Sequence, residues 1–345
     1  MTAAFDDVDA VVHAVESYMA AGDYWRAESV LGTALAAHPN HPRLLTLYAR
    51  VKLAQSDYVA AASSAHAALS VAPENEYAMR IYSHALELQG RIPEALTMAW
   101  RTATTHPQSH LAHHTYARLL SDAGRPAEAM TAINEALRLN PHDVDALNLR
   151  GDIRVALGQL DAAEADYRHA LQLNPMDASV VHNLATLEYQ RGRRWSAVRG
   201  FVAAERLDPR FGDVVRRNVG VVITGVLRRS AWLVLIVTIA VVATYNMRDD
   251  GATVIPRIVA GVGAVLLVAM SIPVMRNVPG PMLTSVVRQR QILAVRILQV
   301  LAAVVLGALT AVAGALTVPG VAAAFLLLSV PVVAIVGAVT RERLW

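Results

Sequence analysis

The sequence predicts an all-α protein: an N-terminal α-solenoid of about six helix-turn-helix units, followed by a four-helix transmembrane bundle. Three observations predict it. Proline recurs every 34 residues, at Pro39, Pro73, Pro107, Pro141, Pro175 and Pro209, although only 15 of the 345 residues are proline. Small residues keep step with that comb: twelve positions before each proline stand Ala27, Ala61, Ala95, Ala129, Ala163 and Ala197. Beyond Arg210 charge nearly vanishes, and long apolar stretches follow one another.

Each 34-residue unit carries the chemistry of a helical hairpin. Gly22, Ser56, Gly90, Gly124, Gly158 and Gly192 stand seventeen positions before the prolines. A glycine there supplies the left-handed residue that ends a first helix. The second helix then needs small side chains where it crosses its partner, because bulk sets the interaxial distance. The comb alanines provide this together with Ala34, Ala68, Thr102, Ala136, Ala170 and Ala204, seven positions later and on the same face. Proline closes the second helix and opens the next unit.

This period and small-residue pattern resemble the tetratricopeptide repeat, as six repeats at 8–41, 42–75, 76–109, 110–143, 144–177 and 178–211. The first repeat departs from the family with Val15 where Ala49, Ser83, Ala117, Gly151 and Ala185 stand in the others, which predicts a looser hairpin. The aromatic late in the second helix is kept as Tyr167 and Phe201. It is Leu31, Ala65, Ala99 and Ile133 elsewhere, so the alanine repeats are expected to pack more thinly. The resemblance implies a concave face that binds a protein or peptide. By repeat register that face includes Arg50, Tyr77, Arg80, His84, His114, Arg118, Asn148, Asp152, His182 and Tyr189. Some family members clamp acidic carboxy-terminal tails with paired bases. Here the matching positions bring Asp145 in place of a base, which argues against such a clamp.

After the solenoid (1–211), residues 212–229 are expected to form a capping or juxtamembrane helix, and 230–345 a membrane domain. Its spans are expected at 230–247, 258–275, 297–318 and 321–339, near the roughly 20 apolar residues that cross a bilayer. Residues 1–210 hold 19 basic and 24 acidic side chains, a net of −5; the remainder hold 12 and 4, a net of +8. The basic excess therefore belongs to membrane flanks and gives no reason to expect nucleic acid. Placing the repeats in the cytoplasm puts ten flanking arginines inside, among them Arg228, Arg229, Arg276, Arg288 and Arg296, and only Arg248 and Arg257 outside. Both termini are then cytoplasmic at the plasma membrane.

Enzyme chemistry is not expected. The chain has no cysteine, and the spans hold no Asp, Glu, Lys or His. His110 and His114 have metal-pair spacing but no third ligand nearby in sequence, so no metal or other cofactor is expected. Lys52 as the only lysine among 31 basic residues points to a bacterial, GC-rich source. The resemblance, joined to the apolar second half, implies a membrane-anchored interaction scaffold, a subunit or assembly factor of a membrane complex. Four spans exceed what anchoring needs, which adds another membrane protein or a second copy of the chain to the expected partners. The alternative is a transporter or lipid-handling protein with regulatory repeats.

Overall fold

Helical hairpins repeat along the chain because the same local chemistry repeats. The computed structural model describes residues 8–246, 254–289 and 291–313, and every described element is helical. Packing divides the chain into two units, Met1–Pro175 and Met176–Trp345.

The first unit contains five hairpins: α1 (Val8–Ala20) with α2 (Tyr24–Ala37), α3 (Pro42–Ala54) with α4 (Tyr58–Val71), α5 (Glu76–Leu88) with α6 (Ile92–Thr105), α7 (His110–Asp122) with α8 (Pro126–Leu139), and α9 (Val144–Ala156) with α10 (Leu160–Leu173). The residue ending each first helix has positive φ, from +73° to +76° at the glycines and 63° at Ser56. Only glycine takes up that conformation without cost, so Ser56 is the strained member. The comb prolines lie in the turns between hairpins; α3 is opened by Pro42 without a side-chain cap, whereas α5, α7 and α9 are opened by side-chain caps. Asn75, Ser109 and Asp143 accept from the backbone N–H of Ala78, Ala112 and Ala146.

The alanines predicted at helix crossings are fully buried, as are Ala34, Ala68, Thr102, Ala136 and Ala170. Val15 is buried as well, inside a cluster with Val11, Val12, Leu31, Leu44 and Leu47, so the first hairpin is filled by a larger side chain. Around Ala99 the missing aromatic is replaced from the first helices: Tyr82 and Tyr116 pack on Leu86, Ala95, Ala99 and Leu119. The odd-numbered helices also pack on one another in sequence, α1 on α3, α3 on α5, α5 on α7 and α7 on α9. Among the described residues the even-numbered helices of this unit make no comparable row. Closer spacing on the odd side bends the stack towards it, and the odd helices line the inner face.

The second unit begins with the sixth hairpin, α11 (Ala178–Gln190) and α12 (Arg194–Leu207), and a short 3-10 turn, Pro209–Phe211. Then come α13 (Gly212–Asn246), α14 (Val254–Asn277), α15 (Gly280–Gln289) and α16 (Gln291–Ala313). The segment expected as a separate helix at 212–229 is the first part of α13, continuous with the first span. Its Val215, Val219, Val222 and Ile223 are buried against Ala197, Val198, Phe201 and Val202 of the hairpin. The chain around α13, α14 and α16 is long and apolar enough to cross a membrane in three places. The fourth expected span, 321–339, lies outside the described residues.

Among these three, α14 runs antiparallel to both α13 and α16, in a defined register. Ser230 meets Met270, and the face of Gly263 sits on Val237. Gly261 faces Ala311, and a methyl on Gly307 would stand 3.1 Å from the Ala260 carbonyl oxygen and 3.2 Å from the Ala264 Cβ. Glycine at these contacts lets backbones approach. At the far end Arg257 donates from Nε to the Ala311 carbonyl at 2.9 Å and from a terminal nitrogen to Val312 at 2.8 Å. It closes the carbonyl end of α16 with a positive charge.

A candidate partner-binding face

The inner face of the first unit is a chain of side-chain bridges between neighbouring odd helices. Arg43 on α3 donates to Asp9 on α1 at 2.5 Å. Arg50 faces Glu16 at 4.0 Å and donates to the Tyr77 hydroxyl at 3.3 Å and to the Met19 sulfur at 3.2 Å. Arg80 lies over the Tyr77 ring, 5.5 Å from its centroid, with Nε 3.1 Å from Glu76. Arg118 on α7 grips Glu87 on α5 through both terminal nitrogens, at 2.6 and 2.7 Å, and reaches Asp122 at 3.2 Å. His84 completes that knot with Nδ1 3.0 Å from Glu87. Burial pushes the Glu87 carboxyl up, but the fork of Arg118 and the His84 ring outweigh it and hold Glu87 at about 2.

Towards α9 the face turns acidic. Burial raises the Asp122 carboxyl above its ordinary value. Asp152 is also raised by burial; the Tyr167 hydroxyl donating to it at 2.5 Å pulls the other way, and Asp122 adds repulsion. Burial lowers the His114 imidazole, against an upward pull from Asp143 and Asp145. Asn148 is half-buried on the same helix row.

The structure thus brings Arg50, Tyr77, Arg80, His84, His114, Arg118, Asn148 and Asp152 onto helices of one layer. His182 and Tyr189 belong to the second unit. There His182 packs between the Phe201 and Phe211 rings, each 5.3 Å away, and burial holds its imidazole below the ordinary range. Tyr189 is exposed.

Sequence reasoning missed the acids that occupy the arginines, namely Glu16, Glu76 and Glu87. A signal for Glu87 existed in the repeat register: the same pair of positions, 31 residues apart, brings Arg50 to the Met19 sulfur and Arg118 to Glu87. Among the described residues no group of three His, Cys, Asp or Glu side chains could hold a metal ion. His110 is instead 3.7 Å from Asp143.

Two-helix units of 34 residues, with small side chains at each crossing and an inner row of first helices, define the repeat. The tetratricopeptide-repeat family profile matches residues 14–69, 46–109 and 116–178. These are tetratricopeptide repeats. Solved structures share the fold. PilW, a widely conserved type IV pilus biogenesis factor, is 17% identical with a TM-score of 0.52, over 58% of this chain and 93% of that one. PilF of Pseudomonas aeruginosa is 20% identical with a TM-score of 0.50, over 58% and 91%. No curated protein matches the sequence. Tetratricopeptide repeats generally mediate protein–protein interactions and are generally non-enzymatic.

Proposed function

We propose that this protein is a membrane-anchored interaction scaffold. The inner face of its tetratricopeptide repeats recruits a protein or peptide on the cytoplasmic side, and the apolar helices fix that activity at the plasma membrane. In this reading it serves as a subunit or assembly factor of a membrane complex.

One observation carries the membrane part of the reading. Many large aliphatic side chains of α13, α14 and α16 face outward: Ile236, Ile239, Val262, Val265, Leu298, Leu301, Val305 and Leu309 are exposed. Gly263, Ala260, Ala264 and Gly307 bring the backbones close, beside the buried Val234, Leu267, Leu293 and Val300. A soluble bundle would not leave so many large aliphatic side chains in water, and exposed apolar surface on this scale suits lipid. The distance between the arginines supports the same reading. On α14, Arg257 to Arg276 spans roughly 28 Å at 1.5 Å per residue, close to the roughly 30 Å of a bilayer's hydrocarbon.

A chain without cysteine offers a clean test of both halves. Single cysteines replacing Ser121 on α7 and Ala252 between the first two spans are labelled on intact cells with an impermeant maleimide. We expect Ala252→Cys to react and Ser121→Cys to react only after lysis; the opposite pattern refutes the orientation. Recruitment is tested on the full chain by mild-detergent affinity capture with and without Tyr77→Ala and Asn148→Ala together. A partner retained equally by both proteins would move recruitment away from this face.

A further inference from the structure

Among the described residues, the cytoplasmic rim of the α13, α14 and α16 helices carries cations that no carboxylate answers. Extending the observed registers, Ser230 with Met270 and Gly307 with Ala260 and Ala264, sets Arg228 on α13 level with the start of α16, where Arg296 stands. Two guanidinium charges at one level of packed helices repel one another. Among the described residues Arg228, Arg229, Arg276, Arg288 and Arg296 form no ion pair. The arginines of the repeats, by contrast, are mostly engaged, as with Glu87, Glu94, Glu128, Glu135 and Asp166.

Arg296 is also short of a partner. One of its terminal nitrogens is enclosed without a hydrogen-bond acceptor. A buried guanidinium nitrogen left unsatisfied costs about 1–3 kcal/mol or more, so such groups mark places where a ligand, ion or water belongs. Two like charges on packed helices with no acid between them raise that cost further. A single anion with several oxygens would remove both penalties. A guanidinium fork matches phosphate geometry in two parallel hydrogen bonds.

We propose that the α13–α16 rim is a binding site for the phosphodiester of an anionic lipid, with Arg228 and Arg296 as its two anchors. The site rests on the membrane reading above, because its depth is that of the inner-leaflet head groups. A bilayer supplies the phosphodiester at the required height, tethered by its acyl chains against Leu298 and Leu301, which are exposed on α16. A net negative head group is required because two positive charges must be met. A zwitterionic lipid brings its own cation and satisfies only half the need.

The test uses the full chain in mild detergent, with phosphatidylglycerol and phosphatidylcholine titrated separately and lipid adducts counted by native mass spectrometry. The wild-type protein should retain phosphatidylglycerol at least tenfold more tightly than phosphatidylcholine. Arg228→Gln with Arg296→Gln should lose that preference, and Arg228→Gln alone, at an exposed position, should weaken it severalfold. Arg296→Lys should keep the charge but recover only part of the affinity, since ammonium lacks the fork. Helical circular dichroism checks that each variant is folded, and the exposed single change keeps the test open if the double variant is not.

Equal retention of phosphatidylglycerol by wild type and Arg228→Gln, or equal retention of both lipids by wild type, would overturn the site while leaving the membrane reading intact. Retention of neither lipid would instead strike at the membrane reading. Displacement of phosphatidylglycerol by millimolar inorganic phosphate would assign the site to a soluble anion and refute the lipid.

Discussion

Gly151→Ala sets two familiar effects against each other. In the middle of an exposed helix, replacing glycine with alanine stabilises by roughly 0.5–1 kcal/mol through reduced chain entropy. Gly151 lies within α9 but is not exposed: its face is covered by the Tyr167 ring. An added Cβ would stand 2.8 Å from both Cδ1 and Cζ of that ring and closer still to Cε1, far inside ordinary contact. Tyr167 cannot simply swing away, because it is 1% exposed and its hydroxyl is tied to Asp152 at 2.5 Å. Overpacking of this kind costs about 1–3 kcal/mol. Disturbing a buried hydrogen bond adds about 1 kcal/mol. The net expectation is a loss of about 1–3 kcal/mol, or about 5 °C in melting temperature for a unit of this size. The assay is a thermal melt of the full chain in mild detergent, followed by helical circular dichroism. Tyr167→Leu in the Gly151→Ala background should recover part of the loss, because the clash is with the ring. A Gly151→Ala protein melting at or above the wild type would refute the reasoning, for then the ring is not pinned.

Four further outcomes follow from the same face. Glu87 lies near 2 in the fold against an ordinary 4.5, so its contribution is present above about 4.5 and fades as pH falls towards 2. Glu87→Gln should lower stability near neutrality by on the order of 2–3 kcal/mol and remove that acid-side slope in pH-dependent melts. His114 is held below its ordinary value by burial, so unfolding takes up a proton once pH drops below about 6.5. The wild type should therefore lose stability between pH 7 and 5 more steeply than His114→Gln. Arg118→Glu would place a third acid beside Glu87 and Asp122 and should destabilise by about 3 kcal/mol, measured by denaturant unfolding. Arg80→Glu, facing only Glu76, should cost less than half as much.

The hairpins were legible because their determinants are local. A left-handed residue at Gly90 or Gly124 and a small residue at Ala95 or Ala129 act within one unit, and repetition makes each visible against chance. Two features were harder to read. Arg228 and Arg229 interrupt an apolar run and suggest a boundary between a cap and a span. Arginine is nonetheless a good helix former, and the backbone passes through the pair as one helix, Gly212–Asn246. Charge marks where a helix meets water, not where it ends. The inner face was half legible for a similar reason. Register places Arg50, Arg80 and Arg118 on the inner row, but register describes a face one helix at a time. Whether an arginine is available depends on the acids around it, several of them one hairpin away, and Glu16, Glu76 and Glu87 engage all three. An inner face whose cations are met from within is poorly suited to holding an acidic tail, and Asp145 on the same row adds repulsion to that shortage. A partner on this face has to compete with pairs such as Arg118–Glu87, bidentate with Glu87 only 15% exposed, or leave them in place and bind around them.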